Sequence, residues 1–316
     1  MEDKLNALQP ANPDNGDIGG ISQTAISRGL VFIELKDEVR QRLELPGMVP
    51  IFKTDLDEEL KAGQIAPAAF AAGIEALKLL SPEITEYDRF LARYYLLEGQ
   101  KALESQDPYQ GQRFFQKALD LEQDQLSAEA AFYIAALLGP DDPEQAIQFY
   151  RQSIELNPLA ATPHFELARI LRERRDLAGA LEEFEAAFVL EPTSANLLYE
   201  VAETHLMVED LPKARAAYSR AAELEPDLWF LPVKLGFIDF NLGDYPAAMR
   251  NLRKGLDLAP EALEDDFTMG LYIEGLYFLG LAFRDTGRPD QARKLFRSVL
   301  QFNPQHEGSL EAMAAQ

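Results

Sequence analysis

Glu155-Leu156-Asn157-Pro158, Glu223-Leu224-Glu225-Pro226 and Asp257-Leu258-Ala259-Pro260 are near-copies of one phrase, and Val189-Leu190-Glu191-Pro192 is close to it. The four prolines stand 34 residues apart. A fixed period in this range marks an array of small stacked units, none able to bury its own apolar face alone. The residues ahead of each proline repeat as well. Upstream of Pro158 stand Ala146, Tyr150 and Ser153; then come Ala180, Phe184 and Ala187, followed by Ala214, Tyr218 and Ala221. Ala248, Leu252 and Gly255 continue the series, Ala292, Phe296 and Val299 close it before Pro304, and Gly111, Phe115 and Ala118 begin it. Offsets of three and four share one helix face. A small–large–small face lets a second helix approach closely and seats one bulky side chain between the small ones. A turn precedes each such helix: Asp142-Pro143, Asp176-Leu177, Asp210-Leu211, Asp244-Tyr245 and Arg288-Pro289. A first helix with its own apolar face, such as Leu167, Ala168 and Leu171, precedes each turn.

Helix–turn–helix units with this phase resemble the tetratricopeptide repeat (TPR) family, whose pattern has an aromatic at position 4, Leu-Gly at 7–8, Ala at 20, an aromatic at 24 and Pro at 32. The units read 92–125, 127–160, 161–194, 195–228, 229–262 and 273–306, about two-thirds of the chain. The expected fold is all-α: a right-handed solenoid of helix–turn–helix repeats behind a divergent N-terminal helical cap. The position-4 aromatic is missing, with His164, Leu198, Pro232 and Leu276 in its place, and Asp239 replaces the aromatic of position 11. An acidic insertion over 261–272 delays the last unit, and either lengthens a helix or forms a loop.

Outside the repeats, residues 1–27 are rich in Asn, Pro, Asp and Gly and are expected to form a flexible polar tail. Residues 28–91 read as an irregular helical cap. A first helix is expected over 29–45 from Leu35, Val39 and Leu43, with an extended apolar piece at 48–52, a short helix capped by Asp55, and an Ala-rich helix over 67–80. Residues 307–316 are expected to close the array as a short helix.

The chain has no Cys and a formal charge of −23. This excludes disulfides and cysteine chemistry, and disfavours nucleic acid or an anionic membrane as the main partner. No apolar run approaches the ~20 residues of a membrane span, and no leader is visible, so a cytoplasmic protein is expected. Of the three histidines, His164 and His205 fall at inward positions and are read as core, while His306 follows the last repeat proline. No metal, cofactor or catalytic motif stands out. The paired acids read as solvated surface, and Asp239 either meets an arginine or points to the groove. No enzymatic activity is expected.

The resemblance implies that the first helices of successive units line a concave groove. It assigns to that groove Phe165, Arg169, Arg172, Tyr199, Phe230, Phe237, Phe240, Tyr277 and Arg284, together with Ala128, Ala131, Ala135, Leu138, Asn196, Glu203, Met207, Val233, Asn241 and Leu281. The rings could equally pack between neighbouring units, or residues 30–52 could occupy the groove. The carboxylate clamp of chaperone-binding TPR proteins is absent, with Ala131, Ala135, Phe165, Arg169, Tyr199 and Glu203 at the clamp positions. The expected function is a non-catalytic protein-interaction scaffold or adaptor holding a basic or apolar peptide or helix of a partner. The alternative is a self-assembling structural repeat protein.

Overall fold

The computed structural model describes residues 29–35, 37–53, 67–121, 124–260, 263 and 265–314. Contacts divide the chain into two compact units, Met1–Pro158 and Leu159–Gln316. The helix expected to be capped by Asp55 and the N-terminal tail lie outside the described residues.

The first unit opens with two strands, β1 (Leu30–Glu34) and β2 (Met48–Phe52), with helix α1 (Asp37–Leu43) between them. The strands are antiparallel, pairing Leu30 with Phe52 and Ile33 with Val49. The helix expected over 29–45 is therefore corrected: only 37–43 is helical. The run Leu30-Val31-Phe32-Ile33 is β-branched and aromatic, and it has an apolar partner in β2, so strand pairing wins over a helical period resting on three residues. Helix α2 (Pro67–Leu80) crosses the pair at close range. A Cβ at Gly73 would lie 2.3 Å from the Pro50 carbonyl oxygen, so only glycine permits this approach. Ile33, Leu45, Val49 and Ile51 join Phe70, Leu77 and Phe90 in one core. Strands β1 and β2 are thus packed into the core of the first unit. Two helix pairs follow, α3 (Asp88–Glu104) with α4 (Pro108–Leu119) and α5 (Asp124–Leu138) with α6 (Pro143–Leu156).

The second unit is a run of four pairs: α7 (Ala161–Glu173) with α8 (Leu177–Leu190), α9 (Ala195–Met207) with α10 (Leu211–Leu224), α11 (Phe230–Asn241) with α12 (Tyr245–Leu258), and α13 (Asp266–Asp285) with α14 (Pro289–Phe302). Helix α15 (Glu307–Ala314) packs on α14. From Asp266 onward the insertion is helix: α13 has 20 residues where α7 and α9 have 13.

The small–large–small face makes each pair. Phe115, Phe184, Tyr218, Leu252 and Phe296 are fully buried, as are Ala180, Ala214, Ala221, Ala248 and Ala292. The partner helix often offers glycine to the large side chain. A Cβ on Gly236 would lie 2.4 Å from Leu252 Cγ, and one on Gly280 would lie 2.6 Å from Phe296 Cε1. Each helix of about 12–20 residues is marginal alone and gains its stability from this packing.

Candidate functional site

The second unit carries the predicted groove residues from Phe165 onward. Turn chemistry fixes their helices. Arg175 and Glu209, at φ 68° and 59°, and Gly243 and Gly287, at 78° and 76°, take the left-handed conformation that ends a first helix. The next residue, Asp176, Asp210 or Asp244, caps the second helix by accepting a backbone N–H three residues on, at 3.1 Å in each case. One residue ends a helix and its neighbour starts the next, so the first helices of successive pairs are presented in register.

The N-terminal ends of α7, α9 and α11 border two clefts. The smaller, about 140 Å³, is lined by Thr162, Phe165, Glu191, Ser194 and Asn196. The larger, about 450 Å³, is lined by Asn196, Tyr199, Phe230, Lys234, Phe267 and Leu271, among others. Ser194 and Asn196 belong to both, so the clefts are contiguous. Tyr199 makes edge contacts with Tyr218 and Phe230, with ring centroids 5.7 and 5.8 Å apart. Burial, with Glu203 and Glu200 nearby, pushes its phenol up to about 12, so it stays protonated and can donate a hydrogen bond.

Other predicted groove residues are occupied by their neighbours. Arg172 reaches across to Glu200 of the next pair at 2.5 Å, with both side chains less than one-fifth exposed. Lys234 and the Tyr218 hydroxyl both donate to Glu203, Lys234 at 2.9 Å. Arg169 pairs with Glu166 and Arg284 with Asp285. Phe237 and Phe240 close on Phe278 of α13 at 4.8 and 5.3 Å. Tyr277 packs on Phe296 and on the His306 ring, 4.7 Å from the latter. Within the second unit, Val233 and Leu281 are buried, and in the first unit Ala128, Ala131 and Ala135 are buried. These buried side chains are packed among their neighbours. Leu138 is partly buried, while Met207, Asn196 and Asn241 are exposed.

The histidines have distinct surroundings. His164 Nδ1 lies 2.6 Å from Glu183. His306 Nδ1 accepts the Ser309 N–H at 3.2 Å, which leaves its Nε2–H to donate to Glu274 at 3.2 Å. His205 is buried, its Nδ1 has no hydrogen-bond partner, and burial lowers its pKa. Asp239 meets the arginine anticipated from sequence. Arg215 Nε is 2.6 Å away and Asn251 donates to the other carboxylate oxygen at 2.7 Å. Among the described residues no three His, Asp or Glu side chains gather at metal distance, and no described helix is long and apolar enough to cross a membrane. Sequence reasoning missed Phe267, Leu271 and Lys234 as cleft residues. The first two belong to the insertion, where the period gave no register; the third occupies a helix position next to the one assigned to the groove.

The tetratricopeptide repeat family matches residues 136–195, 165–228 and 238–307, together more than half of the chain. The chain belongs to the tetratricopeptide repeat family. Among solved structures, it is similar to the TPR protein YrrB, described as having an unusual peptide-binding site, at 20% identity and a TM-score of 0.55 over 63% of this chain and 97% of that one. It is also similar to the C-terminal part of a TPR protein of Cytophaga hutchinsonii, at 13% identity and a TM-score of 0.58 over 77% of this chain and 93% of that one. The general transcriptional corepressor ssn6 of Schizosaccharomyces pombe is 26% identical over 95 residues, which are 28% of this chain and only 9% of the corepressor. At these identities the structural likenesses establish the TPR fold. TPR proteins are generally protein-interaction scaffolds and typically non-catalytic.

Proposed function

We propose that this TPR chain is a non-catalytic scaffold whose second unit holds a peptide or helix of a partner protein along the N-terminal ends of α7, α9 and α11. The contiguous clefts carry this reading. Partly buried Phe165, Tyr199 and Phe230 line them, and aromatic anchors in such concavities dominate binding energy. The peptide-binding site described for YrrB, a protein of the same fold, agrees with it. The catalytic alternative lacks support: Asp239 is spent on Arg215 and Asn251.

Asn196 is exposed and shared by both clefts, so Asn196→Trp obstructs the groove without removing a core contact. A protein captured from native extract by the wild-type chain is expected to be lost from this variant at unchanged Tm. Equal capture by both would place binding elsewhere. Self-assembly remains the second reading, favoured by Phe302 and Leu310, which stand 52% and 48% exposed on the closing helices. Light scattering of the purified chain at rising concentration separates the two, since assembly predicts growing mass and the scaffold reading a constant one.

A further inference from the structure

Glu191 and Glu225 occupy the same place in successive repeats, one residue before Pro192 and Pro226. Each lines one of the two contiguous clefts. Both are exposed, and neither has a cationic partner among the described residues. The larger cleft does contain Lys234, but Glu203 holds that ammonium at 2.9 Å, so it offsets little of the rim's charge. The lengthened start of α13 adds to the same cleft. Asp265 and Asp266 are exposed carboxylates at its first turn, and the Thr268 N–H and hydroxyl keep Asp265 ionised. Directly after them come Phe267, 67% exposed, and Leu271, both lining the cleft. The remaining apolar lining comes from Tyr199, Leu228 and Phe230. An aromatic ring left in water at the mouth of an apolar cleft gains from a further apolar surface laid against it. Glu225 on this cleft and Glu191 on the contiguous one, both without a cationic partner among the described residues, attract cations and repel anions.

Resting on the groove reading above, we propose that this cleft takes a segment of a partner protein in which a large apolar side chain is flanked by lysine or arginine. The extension of α13 is the selecting element, with Phe267 covering the apolar side chain while Glu191 and Glu225 receive the flanking cations. A second copy of this chain fits poorly, because its charge of −23 repels its own kind.

The full chain offers a reporter: Trp229, the sole tryptophan, lies between cleft residues Leu228 and Phe230. Its fluorescence would be titrated with acetyl-Lys-Lys-Phe-Leu-Lys-Lys-amide. Companion probes are Glu-Glu-Phe-Leu-Glu-Glu, Lys-Lys-Ser-Ser-Lys-Lys and spermine. Saturable binding of the first peptide alone is expected, weakening with added salt. It should fall by about tenfold in Phe267→Ser, and again in the pair Glu191→Lys, Glu225→Lys, whose wild-type side chains are all exposed. Matching thermal melts would show that the variants fold. Equal binding of the acidic peptide overturns the charge assignment. Equal binding of the serine peptide or spermine overturns the apolar one, and an unchanged affinity in Phe267→Ser removes the role of the extension. A dimer in light scattering that Phe267→Ser dissolves would make the occupant a second copy and overturn the proposal. If Asn196→Trp loses a captured partner yet the basic apolar peptide fails to bind, the chemistry proposed here falls while the groove reading stands. If neither probe nor partner binds, both fall.

Discussion

Asp239 stands where the repeat pattern wants a ring, and its carboxylate is fully buried. Such a group persists only with partners. Asn251 supplies a directed hydrogen bond. Arg215 supplies charge from 2.6 Å, with its N–H off the line of contact. Because the Arg215 side chain is 42% exposed, solvent screens much of that attraction. Asp239→Ala, which leaves the Asn251 amide without its acceptor, is therefore expected to cost about 1–3 kcal/mol. Asp239→Asn, which keeps size and one acceptor, should cost less. Urea unfolding of the two variants checks the order, and equal losses would mean that charge outweighs the hydrogen bond. His205 presents the opposite problem, a buried ring with nothing on Nδ1. Burial lowers its pKa below the ordinary 6.5, with Asp210 and Glu185 opposing and Lys213 adding to the shift. The folded state then binds fewer protons than the unfolded state as pH falls from 6.5 toward the lowered value, so stability drops across that window. Melting curves between pH 7.5 and 5.5 should show a steeper fall in the wild type than in His205→Gln, and parallel curves would remove the histidine from the account.

At the scale of the element, what the sequence made legible was whatever the period touches. The 34-residue interval of proline located the second helices α6, α8, α10 and α12, and the small–large–small faces located the buried large side chains, those of α4 and α14 included. The turns were legible as positions but carried more information than the period uses, because each Asp of the series is an N-cap. Strand β1 was not legible, since a two-residue and a helical period compete over so short a run and pairing is decided by a partner fourteen or more residues away, whereas the apolar piece expected to be extended over 48–52 is β2. The groove was legible only in part. Position in the repeat says which side chains face inward, but whether a ring meets ligand or neighbour depends on the next helix, as Phe278 decides for Phe237 and Phe240. The last pair breaks the capping series. Arg288 stands where Asp176, Asp210 and Asp244 serve, and it makes no side-chain cap for α14. Pro289 at the first turn and Gly287 before it already give the backbone its shape. Arg288→Asp is expected to stabilise by about 0.5–1 kcal/mol, by accepting the Gln291 N–H, which otherwise reaches the Arg288 carbonyl at 3.2 Å, and through favourable charge at a helix N-terminus. A rise in the urea midpoint with unchanged slope checks it. A fall would mean that the contact of the Arg288 guanidinium with the Phe283 ring, 5.9 Å away, matters more than the missing cap.

For the molecule as a whole, the repeat period runs through residues 158 and 159 without interruption, so nothing in it announces the division into two units. That division follows from contact density, a tertiary property to which side chains distant in sequence contribute. Both units share one electrostatic condition: 53 acidic residues against 30 basic ones. Many of the cations are spent in local pairs, such as Arg172–Glu200 and Lys234–Glu203, so the surplus carboxylates face solvent and each other. Folding draws these like charges together, which opposes the compact state. At about 0.01 M salt the Debye length is ~30 Å and the repulsion acts across a whole unit; at 0.15 M it is ~8 Å and most of that repulsion is screened. Salt also weakens the exposed ion pairs, but each of those is worth only about 0–1 kcal/mol, whereas the repulsion sums over a net charge of −23. The sum is expected to prevail. Tm should rise by a few degrees from 0.01 to 0.15 M NaCl, about 2–4 °C for each kcal/mol gained in a domain of 150–250 residues, with little further change at higher concentration. A falling Tm over the same range would mean that the inter-repeat pairs hold the array together more strongly than the surplus charge pushes it apart.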